Sequence, residues 1–272
     1  SGILSNAKAY IFMGSYIPGI EHLAKYSFQM PGIVAAVLGF INFFMVLFFL
    51  PESNQNMESK TEKKAFDWEG FNAAIRHPEM VNLFLIQFIM MFSTSTMFST
   101  FALFLHDKYG YGITESSYMF AYFGVCSAII QGVIVGKLVK RYSEVKLMIF
   151  SSICLTIGLA LISYMPGVFY LFLVSTLIFL GNSIMNPCIT SMVSQRAKDT
   201  QTGVTLGVSQ SLGSLARIFG PVWGGYIFYV AGYHYPFITG SVFSFIVVLI
   251  SLKMLTSQKT SSENAKAEPL PL

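Results

Sequence analysis

Residues 147–195 read LMIFSSICLTIGLALISYMPGVFYLFLVSTLIFLGNSIMNPCITSMVSQ, a stretch without a single Asp, Glu, Lys or Arg. A helix needs about 20 apolar residues to cross the hydrocarbon core, so this stretch is long enough for two spans. Met165-Pro166-Gly167 breaks it near the middle, as a tight turn between two helices would. The same test carries outward in both directions. Further charge-free runs cover Tyr26–Pro51, Met80–Leu105, Ser116–Gly136 and Ile218–Leu252. Charged residues make up 11% of the 272 and hydrophobic residues 54%. An ordinary soluble domain carries roughly 25% charged residues, so that class is excluded.

These runs predict an all-α membrane protein of about eight transmembrane helices, at 9–26, 30–50, 80–105, 115–137, 146–164, 168–192, 203–230 and 234–254. Helices are required because lipid cannot satisfy an exposed backbone amide, and the alternating signature of a barrel strand is absent. Basic residues then set the orientation. Lys8, Lys60, Lys63, Lys64, Arg76, Lys137, Lys140, Arg141, Lys146, Arg196, Lys198, Lys253, Lys259 and Lys266 fall on one side of this arrangement, and only Lys25 and Lys108 on the other. The positive-inside rule makes the first side cytoplasmic, with the C-terminus on it. The net charge of +4 therefore reports topology and not nucleic-acid binding. Cys126, Cys154 and Cys188 fall in three different spans, with neither metal-ligand spacing nor an even count, and read as small packing residues. No signal peptide precedes the first span and residue 1 is Ser, which reads as an internal cut.

Residues 1–52 read as two spans and 53–79 as a cytoplasmic linker. Within the linker, Lys60, Glu62, Lys63, Lys64, Asp67 and Glu69 are mixed with Phe66, Trp68 and Phe71, as in an amphipathic surface helix. Residues 80–256 carry six further spans, and 257–272 read as a disordered polar tail. A repeat relates the first two spans to the last two: Gly19 pairs with Gly224, Pro31 with Pro236, Phe40 with Phe245 and Ile41 with Ile246, all at one offset. Such an offset is expected of a transporter built from two similar halves.

Two segments carry a family resemblance. The run Gln131-Gly132-Val133-Ile134-Val135-Gly136-Lys137-Leu138-Val139-Lys140-Arg141-Tyr142-Ser143-Glu144 resembles the loop between the second and third helices of each major facilitator half. Gly136 reads as the end of a helix, and the basic cluster with Lys140 and Arg141 then meets the cytoplasm and anionic headgroups. The family motif has an acidic residue where Lys140 stands and a glycine where Ser143 stands. Gly181-Asn182-Ser183-Ile184-Met185-Asn186-Pro187, then Gly203 and Gly207, then Gln210 through Gly225, resemble helices ten and eleven of the superfamily's drug–proton antiporters, tetracycline exporters included. Leu50-Pro51-Glu52-Ser53 is similar to that group's exit from helix six. The resemblance implies helices five to twelve: the last two of an N-terminal half, then a complete six-helix C-terminal half. On that reading helices one to four, where this group usually places its coupling carboxylates, are expected to be missing.

Arg217 stands out, because it falls near the middle of a predicted span, where a charge costs at least about 2.5–3.5 kcal/mol. It reads as a cavity or gating residue, or as a structural arginine capping the carbonyls of a neighbouring helix. Gln210, Ser214 and Arg217 share one helix face, as do Asn182 and Asn186 on the preceding helix. Gln87, Ser93, Thr94, Thr96, Ser99 and Thr100 on the third span, with Tyr122 and Gln131 on the fourth, add polar groups that need partners inside a bundle or cavity. Plain helix-to-helix hydrogen bonding is the alternative for each. The spans at 146–164 and 234–254 hold little beyond Ser and Thr and read as lipid-facing. Gly220 and Gly224, and one face earlier Gly203 and Gly207, predict close helix approach or, with Pro221, a hinge.

His22, His77, His106 and His234 lie at span ends or in loops, and no metal, phosphate-loop or nucleophile motif is present, so the chain does not read as an enzyme and implies no cofactor. The function predicted is secondary active export of a small amphipathic or drug-like molecule across the cell membrane, with protons as coupling ion. Coupled uptake of a sugar or small organic solute on the same fold is the alternative. A receptor or scaffold is the alternative of a different class.

Overall fold

The computed structural model describes residues 29–50, 78–197 and 202–267, and every regular element among them is helical. In chain order these are α1 (Met30–Phe49), α2 (Pro78–Tyr109), α3 (Ile113–Ile129), a π-helical stretch (Ile130–Val135), α4 (Gly136–Arg141), α5 (Glu144–Ile162), α6 (Val168–Arg196), α7 (Thr202–Ala231) and α8 (Tyr235–Ala267). Among the described residues, 6 segments are long and apolar enough to cross a membrane, one of them the continuous Ile113–Arg141. α7, rich in Gly and Ser, is a further helix of 30 residues. The predicted span at 9–26, the linker through residue 77 and Gly19 of the repeat lie outside the described residues.

The chain divides into two compact units, residues 1–66 with 111–121 and residues 67–110 with 122–272. In the first, α1 opens with a proline in its first turn, where a missing N–H costs nothing. Its large side chains are exposed, and Phe44 makes an edge contact with Phe40 and stacks on Phe48. Pro31 and Pro236 each occupy the second position of their helices, and Phe40, Ile41, Phe245 and Ile246 are all exposed. The two prolines of the repeat thus stand at equivalent helix positions.

The second unit is a helical bundle. α7 packs along α2, α5 along α6, and α8 lies against both α5 and α2. Small residues permit the approach: a Cβ at Gly181 of α6 would meet the Ser151 carbonyl oxygen at 2.4 Å, and one at Gly158 of α5 would meet Ile178 at 2.5 Å. Serine hydroxyls tie α8 to α5, with Ser241 donating to the Thr156 carbonyl at 2.9 Å and Ser244 to the Ser152 carbonyl at 3.2 Å. Cys154 and Cys188 are buried in this packing and Cys126 is half-buried, all with free thiols.

Two expectations change here and a third is refined. α5, read as lipid-facing, buries Ser151, Ser152, Leu155, Gly158 and Leu159 on one side and bares the apolar stripe Phe150, Ile153, Ile157 and Leu161 on the other. Serine and glycine form the buried seam without breaking the apolar run. Gly136 does not end a helix. Helical backbone continues through it (φ −60°) to Arg141, and Tyr142 takes the extended conformation that stops it. Lys140 and Arg141 therefore occupy the last helical turn, where cations favour the negative end of the helix dipole. Residues 257–267, expected in a disordered tail, continue α8.

Candidate functional site

Pro221 sits inside α7 and has no N–H to give the carbonyl four residues earlier, that of Arg217. Ser95 of α2 supplies the missing donor, its hydroxyl bonding that carbonyl at 3.4 Å. One turn on, Thr96 donates to the Gly220 carbonyl at 3.2 Å. These bonds hold α7 against α2 with the Arg217 side chain on the exposed side of the helix. Its guanidinium Nη2 donates to the Ser214 hydroxyl at 3.4 Å, and Ser214 in turn donates to the Gln210 carbonyl at 3.0 Å.

Across from Arg217, Asn182 of α6 accepts a hydrogen bond from the Thr94 hydroxyl on its Oδ1 at 3.3 Å. Met91, Thr94, Ser95 and Phe98 of α2, Asn182 of α6 and Arg217 of α7 line one pocket of about 340 Å³. Asn186 lies one turn along α6, its amide donating to the Asn182 carbonyl at 3.3 Å.

A second hollow, of about 450 Å³, lies between α3 and α6 and is lined by Tyr122, Phe169, Phe172, Leu173, Thr176, Leu177 and Leu180. Tyr122 and Thr176 share a hydrogen bond at its edge, and Tyr122 packs edge-on against Phe172 with centroids 4.7 Å apart. Further along α3, Gln131 donates to Ser127 at 3.0 Å, and Ser127 and Ser183 of α6 share a bond at 3.2 Å. Gln131 lies in the π-helical stretch. Such stretches put one extra residue into a turn and recur at functional sites.

The candidate residues thus fall into separate groups. Arg217, Ser214 and Asn182 come together, with Asn186 beside them. Tyr122 borders the second hollow, and Gln131 joins a polar string between α3 and α6. Gln210 stays exposed on the Arg217 face, outside the pocket lining. Gln87 is buried against Gly213, where a Cβ would lie 3.1 Å from its amide nitrogen, and Ser99 bonds the Thr96 carbonyl at 2.9 Å beside Gly224. Both belong to the α2–α7 seam. Gly220 and Gly224 form that seam too, with a Cβ at Gly220 placed 2.8 Å from Ser95 and one at Gly224 3.1 Å from Ser99 and Thr100. Gly203 and Gly207 do not: among the described residues nothing lies within 4 Å of a Cβ at either. Ser95, Thr176, Ser127 and Ser183 escaped the sequence reading. The proline at 221 was the available signal for Ser95, since it announces a carbonyl in search of a donor.

At the basic end of the bundle, Arg196 of α6 pairs with Glu79 of α2 at 2.7 Å. Glu144, opening α5, accepts hydrogen bonds from Gln195 at 2.8 Å and Ser191 at 3.3 Å. At the opposite end Lys108 donates to the carbonyls of Ser163 and Met165 at 2.6 and 2.7 Å, and Tyr109 donates to the Met165 carbonyl at 2.6 Å. The Met165-Pro166-Gly167 turn is therefore pinned from α2.

A bundle of membrane-length apolar helices defines a multi-pass membrane protein. The chain belongs to the Major Facilitator Superfamily, whose family model matches residues 11–221 and, in a second alignment, 83–272. Members of this family are transporters and not enzymes. Multidrug resistance protein 2 of Bacillus subtilis is 28% identical over 253 residues, covering 90% of this chain and 60% of that protein. Quinolone resistance protein NorA of Staphylococcus aureus is 24% identical over 242 residues, covering 86% of this chain and 60% of its own. The crystal structure of the human organic anion transporter MFSD10 (TETRAN) superposes with a TM-score of 0.71 at 21% identity, over 92% of this chain and 62% of that one, a likeness of fold. The chain thus spans about 60% of the length of these relatives.

Proposed function

We propose that this chain carries the pocket-bearing half of a secondary active transporter that exports small amphipathic or drug-like molecules in exchange for protons. The observation that carries the reading is the pocket around Arg217. It combines hydrogen-bonding groups (Thr94, Ser95, Asn182) with apolar walls (Met91, Phe98), and it lies on helices that pack closely on their other sides. A mixed lining of this kind suits a substrate with a polar head and an apolar body. Kinship with proteins named for multidrug and quinolone resistance supports the same direction.

In this reading residues 80–256 form the C-terminal six-helix half, 1–52 belong to the other half, and 53–79 link them. The basic end with Lys137, Lys140, Arg141, Lys146 and Arg196 is cytoplasmic, as is the C-terminus. On this reading the coupling carboxylates belong to helices that this sequence does not include.

The test uses the full-length transporter in proteoliposomes carrying an imposed pH gradient. A drug-like fluorophore should move against the proton flux, and a protonophore should stop it. Movement of a sugar with the proton flux, and no movement of the fluorophore, would replace export with uptake. No coupled flux of either kind from correctly folded protein would favour a receptor.

A further inference from the structure

We propose that the pocket between α2, α6 and α7 is a binding subsite for an anionic head group, a carboxylate or sulfonate, on an amphipathic substrate. The proposal rests on reading this pocket as part of the transport cavity and adds the charge class of what it takes.

A guanidinium carries five N–H donors in a fixed fork. Among the described residues the Arg217 side chain uses one of them, in a long bond to Ser214 Oγ. No acidic residue lines the pocket. Glu79 is engaged with Arg196, Glu144 with Gln195 and Ser191, and Glu115 with the Gly112 amide, and each of the three stands in the first turn of its helix. Asp107 stands in the last turn of α2. Of the neutral groups, Asn182 leans the same way, while Ser95 has its proton committed to the Arg217 carbonyl and offers the pocket only lone pairs. The Thr94 bond to Asn182 Oδ1 occupies the acceptor end of that carboxamide and leaves its NH₂ as the free end. A pocket with a guanidinium, a spare amide donor and no carboxylate favours an anion and opposes a cation. Met91 and Phe98 supply the surface for the apolar body next to that head. At about 340 Å³ the pocket holds a head group and its adjoining ring.

The experiment measures binding of three dansyl probes of similar size to the full-length transporter, together with their transport in proteoliposomes. Dansylglycine is the anion, its amide the neutral analogue and dansylcadaverine the cation. Wild-type protein should bind dansylglycine at least about tenfold more tightly than the amide. Arg217→Gln should collapse that ratio to near one, while Arg217→Lys, which keeps the charge and loses the fork, should retain part of it. Asn182→Asp provides an independent route should Arg217→Gln fail to fold. A carboxylate beside Arg217 should compete with the anion and lower the same ratio. If Arg217→Gln weakens all three probes equally, the anion assignment is overturned and the cavity reading stands. If it changes none of them, and transport too is unaltered, both fail. Preference of the wild type for dansylcadaverine would also overturn the proposal.

Discussion

Ser95 of α2 donates its hydroxyl proton to the backbone carbonyl of Arg217 on α7, at 3.4 Å, and that carbonyl is available because Pro221 cannot bond it. One side chain on one helix thus answers a backbone vacancy on another, in the same turn that presents the pocket's cation. Ser95→Ala should leave the carbonyl unpartnered and destabilise the fold by about 1 kcal/mol. Pro221→Ala in that background restores the N–H and should recover at least half of the loss. Thermal unfolding of the single and double variants in detergent measures the coupling, and strict additivity would show that the two residues are unconnected.

The α2–α7 seam makes a second, steric prediction. A Cβ at Gly220 would sit 2.8 Å from the Ser95 Cβ and 3.1 Å from the Phe92 carbonyl oxygen. Neither neighbour is the far end of a flexible chain, so the helices themselves must separate. Gly220→Ala should cost about 1–3 kcal/mol, the usual range for overpacking. Gly207→Ala meets nothing within 4 Å among the described residues and should gain up to about 1 kcal/mol from helix propensity. Equal melting temperatures for the two variants would contradict this division.

These two glycines also show where the sequence stops being legible. Charge-free runs locate helices, because the cost of a charge or a bare amide in lipid leaves few alternatives. Arg217 with Ser214, and Asn182 with Asn186, are legible too, since residues three or four apart share a face. Which face meets which neighbour is another matter. Gly203-x-x-x-Gly207 and Gly220-x-x-x-Gly224 look identical as strings, yet only the second pair is filled by α2. The working seam adds Gly213 and Ala216, which no spacing rule singled out. Ser95 was missed because its partner is backbone: Pro221 marks the freed acceptor on α7, and no sequence pattern says which residue of another helix answers it. The π-helical stretch at 130–135 is likewise a matter of hydrogen-bond register, which glycines at 132 and 136 permit and do not dictate.

The Arg196–Glu79 pair joins the C-terminal end of α6 to the first turn of α2, two elements far apart in sequence. Half of it is open to solvent, with side-chain exposures of 20% and 55%, so its contribution to stability should stay below about 1 kcal/mol. Glu79→Arg should lower the melting temperature slightly through like-charge repulsion, and the swap Glu79→Arg with Arg196→Glu should restore it. The difference should shrink in high salt, because exposed charges are screened. A swap no better than the single variant would mean that the pair does not persist in solution.

The last prediction concerns pH and the end of the bundle away from the basic cluster. His234, between α7 and α8, stacks on Tyr164 at 5.0 Å and lies 4.2 Å from the Tyr233 ring, centroid to centroid. Its Nδ1 is buried without a hydrogen-bond partner among the described residues. Burial, and secondarily the Lys108 charge, hold its pKa below the ordinary histidine value. The folded state therefore prefers the neutral ring, and the unfolded chain binds the proton more readily. Stability is full above the unfolded pKa of about 6.5 and declines as pH falls through it, levelling off below the folded value. Wild-type protein should melt at a lower temperature at pH 5 than at pH 7.5. His234→Phe keeps a ring for both tyrosines and removes the titration, so its melting temperature should fall less over the same interval. Lys108→Met should also narrow the interval's effect by relieving His234 of a nearby charge. It should lower stability at every pH as well, since the Ser163 carbonyl loses its donor and the Met165 carbonyl loses one of two, Tyr109 being the other. An unchanged pH dependence in His234→Phe would assign the acid sensitivity to other groups.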